Sequence, residues 1–394
     1  MKKINWDYLQ NLALILVVIT LPMPKYSLNS QALIVLIAVS LFSRGFSNKI
    51  ANLKQKRFQF FSVSIWFLMF IIGLTYSDSL DIGFKNIVKN LPLLAIPLVI
   101  FSQEISLKKL EYILKWFSIA VICCAIFALI KASYFTYMGF GNYFYNQNLA
   151  LLLNIHTTYY ALFCVIVILT NMYLIVLDKS KRLHWVCVLF LLFFLYLLSS
   201  RMSIFALGIG TLPILYNKYG KKALTSIPII SLLTFGFLFT PNFQKRENGQ
   251  EDFGINTPTL STRILHWQAV IDAVEETNIY FGVGSGTDKK HVYTAYNEFN
   301  FVEGVKHKYN AHNQFLEYYI YFGLMAIIVW FFCFWVWIKK IFNDYYAYQF
   351  SVFIVLICFM LTESILERQN GIVIFALLLS LILNWNFKKN EAYK

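Results

Sequence analysis

Tyr309-Asn310-Ala311-His312-Asn313-Gln314-Phe315-Leu316-Glu317, with Gly323 further on, is where this chain changes solvent. Upstream lies the one long polar stretch, residues 241–311, holding seven Lys/Arg and nine Asp/Glu. Downstream, residues 312–338 read as a strongly apolar helix. A titratable imidazole at such a boundary, beside amide and carboxylate groups, is expensive for purely structural chain and marks a site more often than it marks packing. Working outward, the same alternation of apolar runs and short polar breaks continues to both ends. The chain is 58% hydrophobic and 14% charged, with a mean hydropathy of +0.59. That is the balance of a membrane protein and not of a soluble one with a large core. The 38 Phe, 25 Tyr and 9 Trp suit helices anchored at two interfaces.

Twelve apolar runs are present, which predicts an all-α integral membrane protein of about twelve transmembrane helices with one large, partly helical loop. Basic residues fall in every second loop: Lys2 and Lys3; Arg44, Lys49, Lys54, Lys56 and Arg57; Lys108 and Lys109; Lys179, Lys181 and Arg182; Lys218, Lys221 and Lys222; Lys339 and Lys340; Lys388, Lys389 and Lys394. These account for 20 of the 34 Lys and Arg. The positive-inside rule makes that side cytoplasmic, with both termini inside and residues 241–311 outside. The expected organisation is one integrated domain: a nine-span region over 1–240, the outer loop over 241–311, and a three-span region over 312–394. The net charge of +14 is thus topological, with some attraction to anionic membrane lipid, and implies no nucleic acid. All six cysteines sit in apolar runs without metal-ligand spacing, so neither a disulfide framework nor a zinc site is expected.

Several outer-side groups accompany His312. Arg201 follows Leu197-Leu198-Ser199-Ser200 between two spans with almost no loop, so it either snorkels to the interface or stands as a buried cation for an anionic group. Arg263 opens a stretch in which Ile264, Trp267, Ile271 and Val274 recur at helical spacing, predicting an amphipathic helix over about 261–274. Gly282-Val283-Gly284-Ser285-Gly286 is either a turn or a place where backbone N–H groups, that of Gly284 included, approach a phosphate. Lys289, Lys290, Lys306 and Lys308 follow, each either solvated or anion-binding. Asn313 and Glu317 could orient His312. His156 lies at the outer end of the sixth span. Glu363, Glu367 and Arg368 flank the turn before the last span, where an ion pair within the protein is at least as good a reading as a substrate role. Lys85 and Lys89 stand outside against the sign rule.

Together these stretches resemble the O-antigen ligase and O-antigen polymerase superfamily of bacterial membrane glycosyltransferases. The resemblance rests on Ala311-His312-Asn313-Gln314-Phe315-Leu316-Glu317 with Gly323-Leu324, on Ser200-Arg201 at the start of a span, on Arg263 through Trp267 to the 282–286 glycines, and on Leu91-Pro92 to Pro97. It implies a glycan donor on undecaprenyl diphosphate, a periplasmic active site in the bacterial inner membrane, and transfer to a hydroxyl. The acceptor would be lipid A–core in a ligase, a second lipid-linked repeat in a polymerase, or a protein Ser/Thr hydroxyl in a protein O-oligosaccharyltransferase. The roles that fit are His312 as general base and Arg201 and Arg263 as holders of the diphosphate, with Asn313, Glu317, His156, Lys289 and Gly284 in support. No Asp-x-Asp pair stands in the outer loops, so an inverting reaction without metal or cofactor is expected. A flippase of polyprenyl-linked sugars is the competing class, though it would not need one long outer loop ending in a base.

Overall fold

The computed structural model describes residues 5–43, 45–177, 181–238, 260–344 and 346–385. Lys2, Lys3, Arg44, Lys179, Lys388, Lys389 and Lys394, used above for topology, lie outside the described residues, as do residues 241–259 of the long loop. Every regular element among the described residues is helical. The first half contains α1 (Trp6–Thr20), α2 (Tyr26–Phe42), α3 (Phe46–Gln55), α4 (Arg57–Leu74), α5 (Leu80–Asn90), α6 (Pro92–Phe101), α7 (Leu107–Tyr137), α8 (Asn146–Leu151) and α9 (Thr157–Val176). Then follow α10 (Lys181–Leu198), α11 (Arg201–Tyr219) and α12 (Ile227–Leu238). The loop region supplies α13 (Leu260–Glu275), α14 (Lys290–Glu298) and α15 (Val302–Lys306), and the chain closes with α16 (Gln314–Asp344), α17 (Ala347–Thr362) and α18 (Gln369–Asn384).

The chain is a helical membrane protein. Among the described residues, five helical segments are long and apolar enough to cross a membrane, fewer than the twelve expected: α4, the α5–α6 run, α7, α9 and α16, with a sixth if α2 and α3, bent by 110°, form one broken span. Hydropathy alone treats every apolar run as a span, whereas an apolar helix can also be one enclosed by its neighbours. In α18 every residue from Asn370 to Asn384 is buried. At 16 residues it extends roughly 24 Å, short of the roughly 30 Å hydrocarbon core. The α4–α16 contact is built on aromatic rings, with Trp66 4.2 Å from Trp330 and 4.6 Å from Tyr318.

The loop helices have a small core of their own, made of Ala269, Val270, Ala273, Val292, Ala295 and Tyr296, closed against Tyr319 and Ile320 of α16. The predicted helix over 261–274 is present as α13, but its predicted apolar stripe is buried only in part. His266, Ala269, Val270, Ala273 and Val274 face inward and Trp267 is partly buried, while Ile264 and Ile271 are exposed. The buried face is turned from the stripe by roughly a third of the helix circumference. Small residues let α13 approach its neighbours closely, and the large Ile264 and Ile271 are left on the side away from the loop core.

The loop region locks into α16 at a break. Gly323 has φ 55° and interrupts the helix. The freed Leu324 and Met325 N–H groups donate to Ile279 O at 2.8 Å and Tyr280 O at 3.2 Å. The freed Ile320 and Tyr321 carbonyls accept from the Val283 and Gly284 N–H groups at 3.0 and 2.9 Å. Non-helical backbone inside a membrane protein survives only where protein meets its polar groups in this way. A Cβ on Gly323 would stand 2.5 Å from Ile279 O, and one on Gly282 (φ 66°) 2.5 Å from Ile320 O. Gly323→Ala should therefore cost about 1–3 kcal/mol, seen as a lower unfolding temperature of the detergent-purified protein. An unchanged melt would show that the two backbones do not need this approach.

Candidate functional site

The site is assembled from helix ends. His312 precedes α16, Arg201 opens α11, His156 caps α9, Glu363 ends α17, and Glu367 lies in the turn before α18. Residues in the left-handed region stand at or near three of these heads: Asn154 (φ 51°), Ser199 (φ 47°) and His312 itself (φ 45°). For a non-glycine residue that conformation is strained and must be imposed by its surroundings.

At His312 the imposing contacts are visible. The His312 N–H donates to Asn310 Oδ1 at 3.0 Å. The Ala311 N–H donates to Glu317 Oε2 at 2.8 Å, and Ala311 O accepts from Trp267 Nε1 at 3.1 Å. Asn313 Oδ1 caps α16 by accepting from the Phe315 and Leu316 N–H groups at 2.9 and 3.2 Å, while its amide donates to Leu361 O at 3.2 Å. Asn313 thus fixes the backbone that carries His312 and does not touch the ring.

The ring partner is Glu363. His312 Nδ1 stands 3.4 Å from Glu363 Oε1, long for a hydrogen bond but well within ion-pair reach. Thr158 Oγ1 donates to the other carboxylate oxygen at 3.4 Å. Burial opposes the charge on Glu363, yet His312, His156 and Arg263 overcome it and hold the carboxyl at about 2. Arg263 belongs to the same field. Burial lowers its pKa, Glu363 pushes it back up, and the like charge of Arg201 lowers it again. Two guanidinium groups that feel one another's charge are relieved by an added anion. An arginine stays protonated in either case. The sequence-predicted His312, Arg263 and His156 are therefore brought together around Glu363 as their shared counter-ion, and Arg201 joins them through its charge on Arg263.

Lys289, Glu317 and Gly284 serve differently. Buried Glu317 pairs with the Lys289 ammonium and accepts from Ser364 Oγ at 3.2 Å as well as from the Ala311 N–H. Lys289 also lies 3.7 Å from Glu367 Oε2 and 5.0 Å from the centre of the Tyr321 ring. Burial works against its charge, but Glu317 and Glu367 raise its pKa well above the usual value. Its ammonium is engaged by two carboxylates, so it braces the His312 loop from behind. The amides of Val283, Gly284, Ser285 and Gly286 donate to Ile320 O, Tyr321 O, Gly73 O and Ser77 Oγ. The glycines are there for close packing on α4 and α16, and their donors are not offered to a phosphate. Lys89 pairs with Glu367 at 3.4 Å. Lys290 pairs with Asp288 at the surface, and Lys85, Lys306, Lys308 and Arg368 are exposed.

Sequence reasoning missed two things here. Glu363 was legible only as an acid near an outer turn, because its tie to His312 joins distant parts of the chain. His266 carries no signal in the sequence, because it lies off the apolar stripe of Ile264, Trp267, Ile271 and Val274. Beside the site runs an apolar groove of about 410 Å³ lined by Ile271, Phe315, Leu316, Tyr319, Ile327, Trp330, Phe331 and Phe334. Residues 186–331 match the protein family described as O-antigen ligase. That stretch includes Arg201, Arg263, Lys289, His312 and Glu317, and leaves His156 and Glu363 outside. No curated protein matches the chain significantly.

Proposed function

We propose, on the premise that this chain belongs to the O-antigen ligase superfamily through residues 186–331, that it transfers a glycan from undecaprenyl diphosphate to a hydroxyl of lipid A–core at the periplasmic face of the inner membrane. The observation that carries this reading is the His312–Glu363 pair set beside two mutually repelling arginines. With Glu363 beside Nδ1 as its counter-ion, His312 Nε2 takes the proton of the acceptor hydroxyl as its oxygen attacks the anomeric carbon. The bond from that carbon to the diphosphate oxygen breaks, and the negative charge leaving on the diphosphate is met by Arg201 and Arg263. A direct displacement inverts the anomeric centre. The apolar groove begins at Phe315 and Leu316, one turn past His312, and suits the prenyl chain of the donor.

A deletion strain tests the acceptor. Lipid A–core without long chains, with polymer accumulating on the lipid carrier, is the ligase result. A single repeat on the core would point to a polymerase, and lost glycoprotein with normal lipopolysaccharide to a protein glycosyltransferase. Because arginines supply the charge that a metal would otherwise supply, transfer by purified protein should proceed undiminished in excess EDTA. Loss restored by magnesium would refute a metal-independent mechanism. For sidedness, Asp288→Cys in a cysteine-free background should react with an impermeant thiol reagent from the periplasmic side, and Lys221→Cys should not. The reverse pattern would put the site on the wrong face for this donor.

A further inference from the structure

His266 sits on α13 one turn after Arg263 and is fully enclosed. Its ring centre is 4.4 Å from that of Phe301, 5.4 Å from Tyr296, 6.0 Å from Tyr309 and 5.8 Å from His312, whose plane is 22° from its own. Neither of its ring nitrogens has a hydrogen-bond partner, and the same holds for Arg263 Nε and the Tyr296 hydroxyl. These unspent polar groups stand on two facing helices beside the proposed base. Buried polar atoms without partners are destabilising, and a phenylalanine at either position would pack the same space without that cost. They call for a ligand that brings partners with it.

We propose that His266, with Arg263 Nε and the Tyr296 hydroxyl, is a recognition subsite for sugar hydroxyl groups of the glycan next to the bond being broken. This rests on the donor reading given above. The chemistry matches a hydroxyl rather than another phosphate. A neutral imidazole offers one donor and one acceptor, a phenol does likewise, and a sugar hydroxyl needs both. Burial, with the Arg263 charge and the neighbouring His312 acting in the same direction, holds the His266 pKa at about 3, so the ring stays neutral. The faces of Phe301 and Tyr309 offer aromatic surface to a pyranose ring. Both are only partly buried, and they flank α15, beside left-handed Asn300 (φ 53°) and Lys308 (φ 49°). That segment covers the subsite and must yield for the sugar to enter.

The test separates a stabilising from a binding role. Full-length wild type, His266→Phe and Tyr296→Phe are purified in detergent. Each is measured for unfolding temperature and for affinity toward undecaprenyl diphosphate alone and toward the same lipid carrying the native glycan. The expected result is an unchanged or higher unfolding temperature, unchanged affinity for the sugar-free lipid, and about tenfold weaker binding of the glycan-bearing lipid in each variant. Equal loss of affinity for both lipids, or no loss for either, overturns the subsite. If one variant fails to fold, the other decides by the same comparison. Wild type that binds neither lipid overturns the donor reading, and the subsite with it. Wild type that distinguishes the two lipids while transferring nothing to lipid A–core overturns the acceptor reading and leaves the subsite standing.

Discussion

His312→Ala should lower transfer by about 10²–10⁴-fold while the protein still inserts and binds donor. The acceptor hydroxyl cannot attack as a neutral alcohol and keep its proton. His312 is the imidazole held against a buried carboxylate, with Glu363 Oε1 3.4 Å from Nδ1. That carboxylate both sets the ring's orientation and stabilises the imidazolium once the proton arrives. Glu363→Gln keeps the shape and removes the charge, so it should lose part of the same rate without altering donor affinity. Purified His312→Ala turning over native acceptor at a near-normal rate would remove the base assignment. Turnover retained in Glu363→Gln alone would leave the base and discard its partner.

Arg201→Lys and Arg263→Lys should each reduce transfer by about 10²–10³-fold, roughly 3–4 kcal/mol of lost transition-state stabilisation. Lysine preserves the charge, so a simple surface anchor would tolerate it. A diphosphate held by the planar guanidinium fork would not, because lysine cannot make the two parallel contacts. The loss should be mainly in kcat, since charge develops on the leaving diphosphate only as the glycosidic bond breaks. Donor affinity and rate intact in both variants would reduce the two arginines to interface anchors. Because Arg201 and Arg263 act on one another, the double variant should cost less than the product of the two single losses.

The helical membrane character, the boundary at His312 and the cation at the head of α11 were open to reading from the chain alone. All three are local statements about which solvent a few consecutive residues prefer, and hydropathy and charge order report that directly. The number of spans was not local in this sense. α18 is apolar, short for the hydrocarbon core and enclosed by other helices, and composition cannot tell lipid from protein as the apolar neighbour. Nor was the buried face of α13 legible. Ile264, Trp267, Ile271 and Val274 make the stronger stripe, yet tertiary packing kept only Val274 of it fully buried and centred on the small Ala269 and Ala273, and so enclosed His266.

The sequence by itself determined that an imidazole would stand at the end of an apolar helix with arginines at comparable boundaries. Only the tertiary structure decided that Glu363 faces that imidazole, that Lys289 is consumed by Glu317 and Glu367, and that the glycines meet a helix break at Gly323. Each of these depends on which helix ends are packed side by side. Residues far apart in the chain become partners only when burial removes the water that would otherwise satisfy their charges and backbone groups.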